Sequence, residues 1–260
     1  MTTIAATATD ITRNTNASAH SALIEAGGRE LDWDVNRLRS NLVALPLGDQ
    51  HLIFSGLCGP STSRVATTLC RDTAWLRRTL ALKGIPTPKT LKLPVQARDT
   101  ARNFVADQSE PTYAWWQDHP ELGAQMTASN FSAQWKQLVA SQPDEESNVI
   151  LQPVNDGTPI DVTVAFGAVV GTGDDEPSQA QQIALQSVAV LPGAEAADVT
   201  LTKLADGSIV VDRVDVRLTK WGELPYPAGV DGVILAILQG ERASVRQMPP
   251  SKSESSPSPS

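Results

Sequence analysis

Two cysteines and three histidines are all that 260 residues offer for thiol or imidazole chemistry. Cys58 and Cys70 fit no zinc spacing, and two thiols cannot make a disulfide framework, so both read as small buried residues. Positive charge is scarce as well. Lys and Arg total 21 against 29 Asp and Glu, a net charge of -8, which gives no global attraction for phosphate backbones and argues against a nucleic-acid partner. No apolar run approaches the roughly 18 residues of a membrane helix. The opening MTTIAATATDITRN lacks both a basic start and an apolar stretch, so the expected location is the cytoplasm, without membrane contact. Gly-x-Ser-x-Gly, P-loop and Gly-x-Gly-x-x-Gly motifs do not occur, and His119 has no Ser or Cys motif nearby to make it a catalytic base.

What is present is normal for a globular chain: 41% hydrophobic residues and alternating helix and strand patterns, which point to layered α+β structure. Residues 1–17 (Thr, Ala and Asn without clear period) and 246–260 (Ser and Pro rich) read as disordered tails. SALIEAGG predicts a short helix ending at Gly27 or Gly28, and LVALPL and HLIFSG predict two strands around Gly48. SRVATTLC predicts a helix, TLKLPV a strand and Ala97 to Asp107 another helix. PTYAWWQDHPELGAQMTA suggests two strands turning between Asp118 and Gly123. Phe131 to Ala140 carries Phe131, Trp135, Leu138 and Val139 on one helical face. NVILQPV reads as a strand buried on both faces. IDVTVAFGAVVG reads as a hairpin bent at Gly167, and Gln179 to Leu191 as a helix. ADVTLTKLADGSIVVDRVDVRL is a strong hairpin signal around Asp206-Gly207, and Val230 to Leu238 reads as a closing apolar helix.

Between Asp72 and Pro88 the chain reads DTAWLRRTLALKGIPTP. Asp72 is a good N-cap, Trp75, Leu76, Thr79, Leu80 and Leu82 have helical spacing, and Gly84 stands where helices end in a left-handed residue. Pro86 and Pro88 then enforce an extended chain. With EAGGREL, STSRVATTLCRD, VILQPVNDG, ADVTLTKLADGSIVVDRVD and YPAGVDGVILAIL in the same order, Ala22 to Leu238 resembles the ATP-grasp module of cyanophycin synthetase and glutathione-synthetase-like ligases.

The resemblance implies an α+β fold of two lobes with antiparallel sheets flanking a central cleft. It suggests an N-terminal α/β segment over 18–90, a small lobe over 91–155 and a C-terminal lobe over 156–245. It also implies ATP and Mg²⁺ as cofactors, with a carboxylate activated as an acyl phosphate before an amine attacks. That chemistry needs cations on the phosphates and carboxylates on the metal. Here the family's first lysine is replaced by Arg77, its second by Trp115, and its adenine-contacting Glu by Gln152. Its metal-binding Asp, Glu and Asn positions fall on Thr200, Arg213 and Asp215. If nucleotide binds, Arg77 and Gln152 would hold it and Asp215 one metal ion.

These departures leave several readings open. The main one is a degenerate ATP-grasp-like protein acting as an interaction or structural module, with a protein or peptide partner or as a homo-oligomer. The others are a divergent carboxylate-amine ligase and a nucleotide-binding regulator without turnover. Arg77 and Arg78 also suit a solvated helix face. Asp212 and Asp215, with the loop Asp174, Asp175 and Glu176, could hold a cation or simply face water. Trp115, Trp116 and Trp135 suit either core packing or ring stacking.

Overall fold

Apolar side chains at every second strand position and every third or fourth helical position build three antiparallel sheets covered by helices. The structure is a computed structural model, and it describes residues 3–154, 156–171 and 178–247. The chain divides into two units, one formed by Met1–Ser61 with Glu223–Ser260 and the other by Thr62–Gly222.

The first unit corrects the reading of 1–17 as a disordered tail. Helix α1 (Ile4–Asn14) buries Ile4, Ala8 and Ile11, a helical stripe hidden in an Ala/Thr-rich sequence. Thr3 caps it by accepting from the Ala6 amide, and the Asp231 carboxylate accepts from the Ile4 and Ala5 amides at 3.1 and 3.0 Å. Helix α2 (Ala19–Glu30) follows an Ser18 N-cap and runs past the two glycines expected to end it. Those glycines serve close packing instead: a Cβ at Gly27 would lie 2.5 Å from the Ile234 side chain. Strands β1 (Asn36–Arg39), β2 (Leu42–Leu47) and β3 (Gln50–Ser55) form a sheet in that order, in which β1 had no sequence signal.

The second unit begins with α3 (Arg64–Arg71) and α4 (Thr73–Leu82), each started by a side-chain cap, from Ser63 and from Asp72. Gly84 then turns the chain at φ +76°, as expected of a left-handed helix terminator. This start lies at residue 62, so the expected 18–90 segment is divided: α3 and α4 pack in the core of the second unit. Strand β4 (Leu91–Pro94), α5 (Arg98–Ala106), β5 (Thr112–Trp116), β6 (His119–Met126), α6 (Phe131–Ala140) and β7 (Asn148–Pro153) form one layer, with sheet order β4-β7-β5-β6. Ala114, Trp116, Val149 and Leu151 point into its core with Phe131 and Trp135. The turn between β5 and β6 is tighter than expected, because His119 to Gly123 are already strand.

The next layer joins β8 (Gly157–Ala165), β9 (Ala168–Val169), α7 (Gln179–Ala189), β10 (Ala196–Leu204) and β11 (Ile209–Asp215), with sheet order β11-β10-β8-β9. One face, with Val162, Val164, Ala197, Val199, Leu201 and Val211, meets α3, α4 and α7 in a second core. A 3₁₀ turn, Thr219–Gly222, closes this unit. The last helix, α8 (Val230–Gln247), belongs to the first unit and continues nine residues beyond the expected Leu238. Residues 246 and 247 are therefore helical, while 248–260 of the expected tail lie outside the described residues. Among the described residues no helix is long and apolar enough to cross a membrane.

Candidate functional site

Helix α4 places Leu76 and Leu80 in the core and carries Arg77 inward between them, only 6% exposed. Its Nη1 donates to Thr90 Oγ1 at 2.6 Å and to Gln152 Oε1 at 2.5 Å, and its Nη2 donates to the Asp212 carbonyl at 3.0 Å. The Asp212 carboxylate lies 3.9 Å away. Burial pulls the guanidinium down to about 10, with Asp212 opposing the shift, so it stays cationic at neutral pH. The two residues expected to hold nucleotide thus bind each other: Arg77 ties α4 to β7 and β11. Its neighbour Arg78 is the one on a solvated face, 5.4 Å from the Trp75 ring.

In the hairpin β10–β11 the pairs next to the turn are Lys203 with Ile209 and Leu201 with Val211, while farther out Thr200 stands opposite Arg213 and Asp198 opposite Asp215. Between Thr200 and Leu201 the register shifts, because Leu201 pairs with Val211 and leaves Asp212 as the extra residue of a bulge. The bulge turns Asp212 to the same polar face as Arg213. There it accepts from the Thr202 hydroxyl and meets Arg77. Thr200 instead donates to Asp161 at 2.8 Å, across to β8.

Asp215, the expected metal ligand, is surrounded by donors. Thr219 Oγ1 donates to it at 2.5 Å, the Arg217 amide at 3.0 Å, Arg213 Nη2 at 3.2 Å and Arg217 Nε at 3.4 Å. Burial alone would raise its pKa, but the Thr219 hydroxyl, the Arg217 amide and the two arginines outweigh it and hold the carboxyl below its usual range. A divalent cation does not fit here, because both oxygens are engaged and two guanidinium groups repel it. Among the described residues no three His, Cys, Asp or Glu side chains are grouped to hold a metal ion. Asp174, Asp175 and Glu176 lie outside the described residues.

Nearby Asp198 behaves oppositely. Thr163 Oγ1 and Trp221 Nε1 donate to it at 2.6 and 3.1 Å, and Lys220 lies 3.3 Å away. Burial dominates, however, and pushes its pKa up. Together these contacts fasten the 3₁₀ turn to the sheet.

A cavity of 870 Å³ opens beside Arg77 and Gln152. On one side β5 presents Tyr113 and Trp115, stacked at 5.7 Å and 27°, with their alternate neighbours Ala114 and Trp116 in the core. Gly123 on β6 makes room for this wall, since a Cβ there would lie 2.3 Å from the Tyr113 hydroxyl and 2.5 Å from its ring. The remaining lining includes Arg71, Arg213, Arg217, Asp118, Asp212, Pro153 and Val154. Four arginines, counting Arg77, face two aspartates in a chain of net charge -8. Sequence reading missed Tyr113, Arg71 and Arg217. The strand alternation of Thr112 to Trp116 was the available signal for Tyr113, since it puts Tyr113 and Trp115 on the face opposite Trp116.

No protein-family model matches the chain, and no curated protein matches it in sequence. Solved structures do match in shape. The D-alanine-D-alanine ligase from Coxiella burnetii is 15% identical with a TM-score of 0.53, over 71% of this chain and 62% of that one. The ATP-grasp ligase PsnB, complexed with minimal precursor, Mg and ADP, is 13% identical with a TM-score of 0.54, over 70% and 62%. The D-cycloserine synthetase DcsG is 17% identical with a TM-score of 0.52, over 68% and 71%. This is an ATP-grasp fold. The match spans less than two thirds of the first two of these proteins. Within the ATP-grasp frame, Arg77 and Gln152 are interior partners, Trp115 is a cavity wall, and Arg213 projects 59% exposed beside that wall.

Proposed function

We infer that this protein retains the ATP-grasp fold without its ligase chemistry and works as an interaction or structural module with a protein or peptide partner, or with a second copy of itself, in the cytoplasm. One observation carries this reading: Arg213 stands opposite Thr200 in the late hairpin, so two positions that would hold metal present a guanidinium and a hydroxyl. Acyl-phosphate chemistry needs the charge of the leaving and transferring phosphates neutralised by metal. A cation fixed by the protein at a ligand position works against binding that metal. Arg77 adds to the argument, since its Nη1 and Nη2 already donate to Thr90, Gln152 and Asp212, although its buried Nε has no partner.

A divergent ligase is the second reading, and a nucleotide-binding regulator without turnover the third. The 870 Å³ cavity with an aromatic wall favours both over a purely structural role. Incubation with Mg-ATP and mixtures of amino acids separates the ligase from the other two readings. ADP release above the buffer rate would establish a ligase or ATPase and overturn the main reading. No release, with or without binding, is the expected result.

A further inference from the structure

A separate groove of 690 Å³ is lined by α4 and by the stretch from Thr87 to Pro94. Along α4, Ala74, Arg78 and Ala81 recur at helical spacing on one face, and the two alanines leave space that longer side chains would fill. Trp75, 53% exposed, supplies an apolar wall, with Pro88 and Leu93 contributed by the facing stretch. Four lining side chains are cationic, Arg77, Arg78, Lys89 and Lys92, and none is a carboxylate, in a chain whose net charge is -8. Arg77 is matched by Asp212, and Lys92 by Asp72 at 2.7 Å. Arg78 and Lys89 are exposed and have no ion pair among the described residues. Each rests on a ring instead, Arg78 at 5.4 Å from Trp75 and Lys89 at 5.2 Å from Phe104. That contact holds the cation in place and leaves its N–H donors for an anion. Asp144, Glu145 and Glu146, on the loop before β7, are exposed and do not line the groove, although Asn148 does.

We propose that this groove docks an acidic segment of a partner protein, with an apolar side chain of that segment set against Trp75 and flanking carboxylates on Arg78 and Lys89. The proposal rests on the reading of the protein as an interaction module, and it gives that module a surface and a partner chemistry. An exposed indole beside unpaired cations, in an otherwise acidic chain, is complementary to an apolar group bracketed by negative charge. The Arg78 fork can take a carboxylate through two N–H donors. Recognition falls to side chains. Although β4 is the edge strand of its sheet, Pro94 within it and Pro86 and Pro88 before it have no amide hydrogen, which works against adding a partner strand along that edge. An anionic membrane is the poorer fit, since surface attraction draws on clusters of about four to eight cations, whereas two here are without a carboxylate and they border a concave site.

Selection from a displayed library of random dodecapeptides tests it, with the full chain as bait and the double variant Arg78→Glu, Lys89→Glu as counter-bait. Expected is enrichment, on the wild-type chain alone, of peptides with a Leu or aromatic residue between Asp or Glu residues. The most enriched peptide is then synthesised, labelled with fluorescein and titrated by anisotropy. Arg78→Glu should weaken its binding by about tenfold or more, and Trp75→Ala by a similar factor, with Trp75→Phe intermediate. Raising NaCl from about 50 to about 500 mM should weaken binding as well. Replacing the peptide's Asp and Glu by Asn and Gln, or its apolar residue by Ala, should each cost about tenfold. The substituted protein positions are exposed, and a thermal melt confirms that each variant folds. No enrichment, enrichment of neutral or basic peptides, or equal binding of a peptide of Glu and Gly alone would each overturn the proposal. Binding of phosphatidylserine vesicles that is lost in the double variant, with no peptide enriched, would overturn it in favour of a membrane surface. Peptides that bind the double variant equally would remove this groove while leaving the interaction reading in place. ADP release from Mg-ATP would overturn the interaction reading, and peptide titration in the same samples reports on the groove independently.

Discussion

Arg77 Nη1 donates to Gln152 Oε1 at 2.5 Å, joining a helix to a strand that are 75 positions apart in sequence. Two residues that could each have faced a nucleotide satisfy one another. Removing either leaves a buried polar group without its partner, and that loss is larger than the net value of the bond itself. Gln152→Ala is expected to cost about 2 kcal/mol and Arg77→Met about 3–5 kcal/mol. Urea unfolding of the two single variants and the double variant checks this. Because the residues touch, the double variant should lose less than the sum, by on the order of 1 kcal/mol. Additive losses would mean the pair is not a unit.

The aromatic wall depends on a missing side chain. Gly123→Ala should push the Tyr113 ring off Trp115, because the new methyl group would sit within 2.5 Å of that ring. Tyr113 can swing into solvent, so unfolding free energy should change by less than about 1 kcal/mol. A stacked pair at 5.7 Å and 27° is expected to give a far-ultraviolet circular dichroism couplet, which should weaken in the variant. An unchanged couplet would show that the ring is held by something other than this space.

Acid stability separates the two carboxylates of the polar sheet face. Asp215 has a lowered folded pKa, so its contribution is present above the unfolded value of about 3.9 and is lost as pH falls through the folded value. Asp198 has a raised folded pKa, so its contribution is full below about 3.9 and is lost as pH rises through the folded value. Asp215→Asn should therefore flatten the acid limb of the stability curve. Asp198→Asn should flatten a fall on the opposite side. Urea midpoints measured from pH 3 to 7 decide, and the same slope change in both variants would contradict the assignment.

Cys70 is half-buried, and burial pushes its thiol up to about 12 despite a lowering contribution from the Val216 backbone. Alkylation by iodoacetamide at pH 8 depends on the thiolate. Mass-mapped modification of the folded protein should leave Cys70 unmodified over a time that fully labels the urea-unfolded chain. Rapid native labelling would show that the α3 end opens readily.

Much of this fold was legible because local signals agreed with it. Asp72, Gly84 and the Asp206-Gly207 turn fixed a helix start, a helix end and a hairpin, but the pairing of Thr200 with Arg213 comes from the bulge at Asp212 and not from the turn. Helix α1 was hidden because alanine and threonine carry its stripe, and its N-terminus is held by Asp231, more than 220 positions away. Gly27 read as a terminator, yet it is an interior contact with Ile234. In the site the same limit applies. Sequence order identified Arg77, Gln152 and Arg213 as the informative positions, but the bulge that turns Asp212 toward Arg77 comes from pairing across strands. Only that pairing shows that Arg77 is sealed and that the open charge of the cavity belongs to Arg71, Arg213 and Arg217.

The most direct test of lost ligase chemistry is phosphorus NMR of Mg-ATP incubated with the protein and a mixture of amino acids. Expected are α, β and γ signals that stay constant over hours, in the wild-type chain and in Arg213→Ala alike. Growth of ADP or acyl-phosphate signals in the wild-type sample, abolished in Arg213→Ala, would contradict it.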